Sequence, residues 1–126
     1  MSLRTPLKQV RRLGSAKEGA DHFWKQRVTA VANLFLGVAL VWIVAQTWGA
    51  THAEAAALIA NPFVALALLL LVLSGTLHMR LGMQVVIEDY VSNEGFKIAL
   101  LILNTFFAIV IGLACVYAIL KLSFGA

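Results

Sequence analysis

A chain of 126 residues suffices for one domain, but 61% of it is hydrophobic and only 13% is Asp, Glu, Lys or Arg. Ordinary globular domains carry about 45–50% apolar and about 25% charged residues, which excludes a water-soluble fold unless a partner covers its surface. The net charge of +4 is concentrated at one end, with seven of the ten Lys and Arg residues lying between Arg4 and Arg27.

Residues 1–22 read as a polar, basic arm with scattered Ser and Gly. Because an apolar run follows directly, membrane topology and anionic lipid explain this charge better than nucleic acid does. The run is too long for a secretory signal and lacks a small-residue cleavage site. The arm shares a basic, acid-poor character with organelle transit peptides. It is expected to be retained, which favours a bacterial plasma membrane over a mitochondrial inner membrane.

The remainder, residues 23–126, reads as an all-α membrane unit of three transmembrane helices. The first helix is expected over about 27–48. Roughly 22 residues rise about 33 Å as a helix, enough to cross a hydrocarbon core of about 30 Å. Trp24 and Trp48 bracket it where interfacial aromatics belong. Residues 49–61 read as a short loop without Lys or Arg, ending at Asn61-Pro62, a helix start with proline in the first turn. The second helix is expected over 62–90 and the third over about 96–121, joined by a turn containing Ser92, Asn93 and Gly95.

Cys115, the single cysteine, lies within the third span and reads as a small packed thiol. Arg80 and Lys97 flank the second connection while the first has no basic residue, so the positive-inside rule puts the amino terminus and the 88–97 turn in the cytoplasm. Three helices enclose little volume, and packing with a partner subunit is expected.

The second span carries the chemistry. Ionisable groups at membrane depth are costly and point to function. At about 100° per residue, Ser74, His78, Gly82, Val85 and Asp89 fall within about 40° of one direction. Small residues on either side of an inward histidine leave room for a flat, bulky group. A haem bound through Nε2 fits, as do an interhelical hydrogen bond and a station in a proton relay. His22 and His52 lie outside the expected spans, so a bis-histidine haem needs its second ligand from another chain. Arg80 lies about 200° around the helix from His78 and belongs to another face. Asp89 and Tyr90 stand about 17–18 Å along the axis from His78, where a phenol can donate to a carbonyl oxygen and a carboxylate can exchange protons with water.

The run HMRLGMQVVIEDYV from His78 to Val91 resembles the smaller, cytochrome b-type membrane-anchor subunits of succinate dehydrogenase (respiratory complex II). Their pattern His-x-x-x-Gly-x-x-x-Val-x-x-Asp-Tyr falls on His78, Gly82, Val86, Asp89 and Tyr90. Trp24, Gln26, Arg27, Thr29 and Ala30 match the family's Trp-x-Gln-Arg-x-Thr-Ala at the start of the first helix.

The resemblance implies that His78 is one axial ligand of the iron of haem b, with the companion cytochrome b anchor supplying the other. It implies that Asp89 and Tyr90 belong to the site where ubiquinone is reduced, the tyrosine bonding a quinone carbonyl. Arg27 is implied near the haem propionates, although a lipid phosphate or a soluble subunit would suit it equally. Helix geometry adds Ser74 and Gly82 as haem-facing positions. The implied partners are the second anchor, an iron–sulfur subunit and a flavoprotein. With no flavin motif, iron–sulfur cysteines or succinate-binding apparatus, the chain cannot oxidise succinate itself. Apart from the resemblance, a small transporter or proton-relay component and a haem-free membrane scaffold remain the alternatives.

Overall fold

Helix accounts for nearly all of what is described. The computed structural model describes residues 16–125, with side chains from Gly19 onward, so positions 1–15 of the expected arm lie outside the described residues. Helix α1 spans Ala16–Thr47, α2 His52–Ile59, α3 Pro62–Tyr90 and α4 Glu94–Ser123. Three of them, α1, α3 and α4, are long and apolar enough to cross a membrane.

The first helix starts at Ala16, well before the expected start near Arg27. Its 32 residues rise about 48 Å, more than the hydrocarbon thickness, so its first turns continue the span as a polar extension. Lys25 Nζ lies 2.7 Å from Asp21 Oδ2 one turn earlier. This exposed i,i+4 pair favours helix where the sequence reads as an arm. The helix ends at Gly49, whose φ of 74° is the left-handed conformation a glycine adopts at low cost.

The expected loop 49–61 contains a helix of its own, α2. Thr51 and Glu54 form a reciprocal capping box: the Glu54 N–H donates to Thr51 Oγ1 at 3.3 Å, and the Thr51 N–H donates to Glu54 Oε2 at 2.7 Å. The alanine-rich segment that follows propagates easily once its first turn is fixed. Glu54 has its carboxyl held below its usual value of 4.5, first by the Thr51 backbone N–H and then by the Thr51 hydroxyl.

Helix α3 begins as its sequence indicates, with Asn61 Oδ1 accepting from the Phe63 N–H at 3.0 Å and Pro62 in the first turn. Asn93 caps α4 in the same manner by accepting from Phe96.

Helix α3 is the central element and packs against α1 on one side and α4 on the other. Its contacts fix the register. Moving along α3 from Ser74 to His78 to Gly82, the partners on α1 run backwards from Thr29 to Gln26. On the other side Thr76 lies beside Gly112, and Arg80 beside Thr105. Both pairs of helices are therefore antiparallel, and Tyr90 stands at the same end of the molecule as the start of α1 and of α4. Such an open arrangement buries little: Ile43, Val64, Ala65, Leu81, Ile87 and Ala108 are the buried hydrophobics, and no described side chain is fully enclosed. Lipid or neighbouring subunits must cover the rest.

Candidate functional site

The α1–α3 seam holds a polar cluster in an otherwise apolar bundle. Thr29, the one buried polar residue among those described, lies at its centre with 7% of its surface exposed. Its hydroxyl is 2.7 Å from the carbonyl of Lys25 and 3.1 Å from that of Gln26 in the preceding turn. Across the seam, Thr29 Oγ1 is 3.1 Å from His78 Nδ1. Ser74 donates its hydroxyl to the Thr29 carbonyl at 3.2 Å. Two α3 side chains one turn apart thus converge on one α1 residue.

Beside this cluster runs an open groove of about 340 Å³ lined by His22, Gln26, Arg27, Ala30, His78 and Val85 together with Gly19 and Phe23. Two side-chain atoms at this groove, His22 Nε2 and Gln26 Oε1, are enclosed without a hydrogen-bond partner among the described residues. A buried polar atom left unpaired costs about 1–3 kcal/mol, so each calls for a partner beyond the described residues. A third such atom, Asn33 Oδ1, lies further along α1. His22, Gln26, Thr29 and Asn33 recur at i, i+4, i+7 and i+11, which is one face of a helix.

The residues singled out from sequence divide into four places. His78 and Arg27 both line the groove, and the Arg27 guanidinium also stacks 5.0 Å from the centroid of the Phe23 ring. Ser74 and Gly82 lie in the seam instead. The serine hydroxyl is committed to the Thr29 carbonyl, and a Cβ added at Gly82 would meet Gln26 Nε2 at 3.5 Å. Asp89 and Tyr90 are exposed at the end of α3, with Tyr90 84% accessible. Their neighbour Glu88 is tied along the helix by Gln84, whose Nε2 donates to Oε1 at 2.9 Å. Arg80 faces α4, as its angular position requires: its Nε donates to Thr105 Oγ1 at 3.3 Å, and its carbonyl accepts from Asn104 Nδ2 at 2.9 Å.

His22 and the hydrogen-bonding role of Thr29 were not found by sequence reasoning. The signal was present in the i, i+4, i+7, i+11 recurrence. It becomes visible only when the first helix is extended back through His22, which an apolar-span criterion does not do.

These residues fit the edge of a haem. The groove is open on one side, an imidazole stands in its wall, and polar groups including a guanidinium gather near it. No group of three or more His, Cys, Asp or Glu side chains suited to a metal ion occurs among the described residues. Of these residue types the groove offers His22 and His78, a set that suits a metal held within a larger ligand better than a bare ion.

The family described as succinate dehydrogenase/fumarate reductase transmembrane subunit matches residues 1–113. The chain is 34% identical over 122 residues to the succinate dehydrogenase hydrophobic membrane anchor subunit of Paracoccus denitrificans, covering 97% of this chain and 94% of that protein. The subunits of the same description from Rickettsia conorii and Rickettsia bellii are 36% and 31% identical. They cover 84% and 92% of this chain, and 85% and 93% of their own lengths. No solved structure matches the chain.

Proposed function

Because the chain belongs to the family of succinate dehydrogenase/fumarate reductase transmembrane subunits, we propose that it holds one side of a haem b and one side of a quinone-reduction site in a bacterial inner membrane. The observation that carries the haem half is His78 in the wall of a groove that also contains His22 Nε2 and Gln26 Oε1, both without a partner among the described residues. Arg27 in the same groove offers a cation for the carboxylates of the bound group. Bound there, haem b would supply a one-electron redox centre between this chain and a second anchor subunit. That subunit would close the open side of the groove and supply a further ligand to the bound group.

The quinone half rests on the end of α3. Tyr90 is exposed there with its phenol free of hydrogen bonds among the described residues. Its O–H donates to a quinone carbonyl oxygen, holding the ring and delivering a proton as charge develops on that oxygen. Asp89 beside it returns the proton from water, with Glu88 one residue further back. Reducing a quinone to a quinol takes two electrons and two protons. The electrons come from a flavoprotein and an iron–sulfur subunit docked at this end, and the protons enter through the Asp89–Tyr90 edge. The concentration of positive charge between Arg4 and Arg27 supports a cytoplasmic location for this end, the side on which soluble subunits would dock.

The test is a reduced-minus-oxidised optical spectrum of the purified complex, with a denaturing gel on the same sample. A b-type band that disappears in His78→Ala, together with co-purifying flavoprotein and iron–sulfur subunits, supports the reading. Absence of the band from the wild-type complex overturns its haem half and leaves an anchor that contributes to quinone binding alone.

A further inference from the structure

The hydrogen bonds at the α1–α3 seam determine more than the position of His78. A threonine hydroxyl has one proton to give and two lone pairs to receive. The closest acceptor to Thr29 Oγ1 is the Lys25 carbonyl at 2.7 Å, with the Gln26 carbonyl at 3.1 Å sharing the same side. With the proton directed back along α1, the oxygen presents a lone pair to His78 Nδ1 at 3.1 Å. The ring nitrogen must then be the donor. In a neutral imidazole only one nitrogen carries a proton, so Nε2 is left bare. His78 lines the groove, and its Nε2 makes no hydrogen bond among the described residues.

We propose that Thr29 is a positioning residue for His78: its hydroxyl accepts from Nδ1–H, fixes the tautomer and turns an unprotonated Nε2 toward the groove. This rests on the reading of His78 as a haem ligand. Thr29 is held through two different atoms: its hydroxyl donates to the Lys25 carbonyl on its own helix at 2.7 Å, and its backbone carbonyl accepts from the Ser74 hydroxyl at 3.2 Å. A ring anchored through Nδ1 cannot flip without breaking this bond in a seam from which water is largely excluded. Metal-ligating histidines are ordinarily oriented by an acceptor on the second nitrogen, and that acceptor raises the basicity of the ligating one. Thr29 is placed to do this from the neighbouring helix.

The test uses the whole complex with Thr29→Val, which keeps the β-branched shape and removes the hydroxyl, and with Thr29→Ser, which restores it. Thr29→Val is expected to hold haem roughly tenfold more weakly, the low end of the range for loss of such an acceptor. It is also expected to shift the midpoint potential of the remaining haem to more positive values, because a less basic imidazole stabilises the oxidised iron less. Thr29→Ser should return both toward wild type. A merely structural defect would lower haem content without moving the potential of what remains, so an unmoved potential in Thr29→Val overturns the proposal.

Should the wild-type complex contain no b-type haem, the ligand reading of His78 fails separately. Nitrogen NMR of the full histidine-labelled chain in lipid then decides the tautomer, with the His78 signals assigned by their loss in His78→Ala. A protonated Nδ1 with a bare Nε2 supports the Thr29 bond, and a protonated Nε2 overturns it.

Discussion

His78 and Arg80 are two positions apart on α3 yet serve opposite neighbours: His78 Nδ1 is 3.1 Å from Thr29 on α1, whereas Arg80 Nε donates to Thr105 on α4 at 3.3 Å. Two residues along a helix turn the side chain through about 200°, so the charge of Arg80 is carried away from the groove. Replacing each in turn should separate the two faces. His78→Ala should lower haem content at least about tenfold, since losing an oriented ligand costs no less than losing the group that orients it. Arg80→Leu should leave the b-type band at its wild-type intensity. Equal loss in both variants would mean that the two faces are not independent.

Tyr90 lies about 18 Å along α3 from His78, one helical rise per residue over twelve residues. Removing its hydroxyl should therefore affect quinone chemistry and spare haem. Tyr90→Phe is expected to slow quinone reduction by about 10²-fold, the lower range for loss of a positioned proton donor, with an unchanged optical spectrum. Succinate oxidation with an artificial electron acceptor should continue at its normal rate, because that assay bypasses the end of α3. Normal quinone kinetics in Tyr90→Phe would remove the phenol from the mechanism.

The three spans were legible in the sequence because each is a predominantly apolar run of membrane length. The start of α3 was legible because Asn61-Pro62 caps it by a local mechanism, whereas α4, expected from about 96, begins at Glu94 because Asn93, read as part of the turn, caps it. The start of α1 was less so: its first turns are polar, and a criterion of hydrophobic length cannot separate a polar helix from a polar arm. Helix α2 was read as a loop although Thr51 and Glu54 have capping-box spacing, since eight residues are too few to show a period. At the site, periodicity put Ser74, His78 and Gly82 on one stripe. Whether that stripe met a ligand or another helix depended on the register of α1 against α3. Contact with α1 takes Ser74 and Gly82, and His78 reaches both the seam and the groove.

Two polar contacts cross the α3–α4 interface near its middle, the shorter being the Asn104 Nδ2 donation to the Arg80 carbonyl at 2.9 Å and the other the Arg80 Nε donation to Thr105 Oγ1 at 3.3 Å. Hydrogen bonds between membrane helices contribute about 0.6 kcal/mol on average, because the unpaired groups find other partners in the unfolded reference state. Asn104→Ala should accordingly lower the resistance of the chain to detergent denaturation by about that amount, leaving haem content and quinone kinetics unchanged. A loss several times larger would show that Asn104 holds the Arg80 backbone in a conformation that α3 does not otherwise keep.

Helix α2 should be the acid-sensitive part of the chain. Glu54 Oε2 accepts from the Thr51 N–H at 2.7 Å and from the Thr51 hydroxyl at 2.9 Å, which keeps its carboxyl below the usual 4.5 when the helix is folded. The unfolded segment therefore takes up a proton at a higher pH than the folded one, and the carboxylate's contribution to α2 is complete above pH 4.5. As pH falls below that value and through the lowered folded pKa, the contribution is lost. Amide-exchange protection at Ala55, whose N–H donates to the Thr51 carbonyl at 3.0 Å, should fall across this window, while protection in the middle of α3 stays constant. Glu54→Gln should flatten the dependence, since glutamine still accepts from Thr51 but has no proton to gain in this range. A pH profile identical in Glu54→Gln and wild type would assign the acid sensitivity to another group.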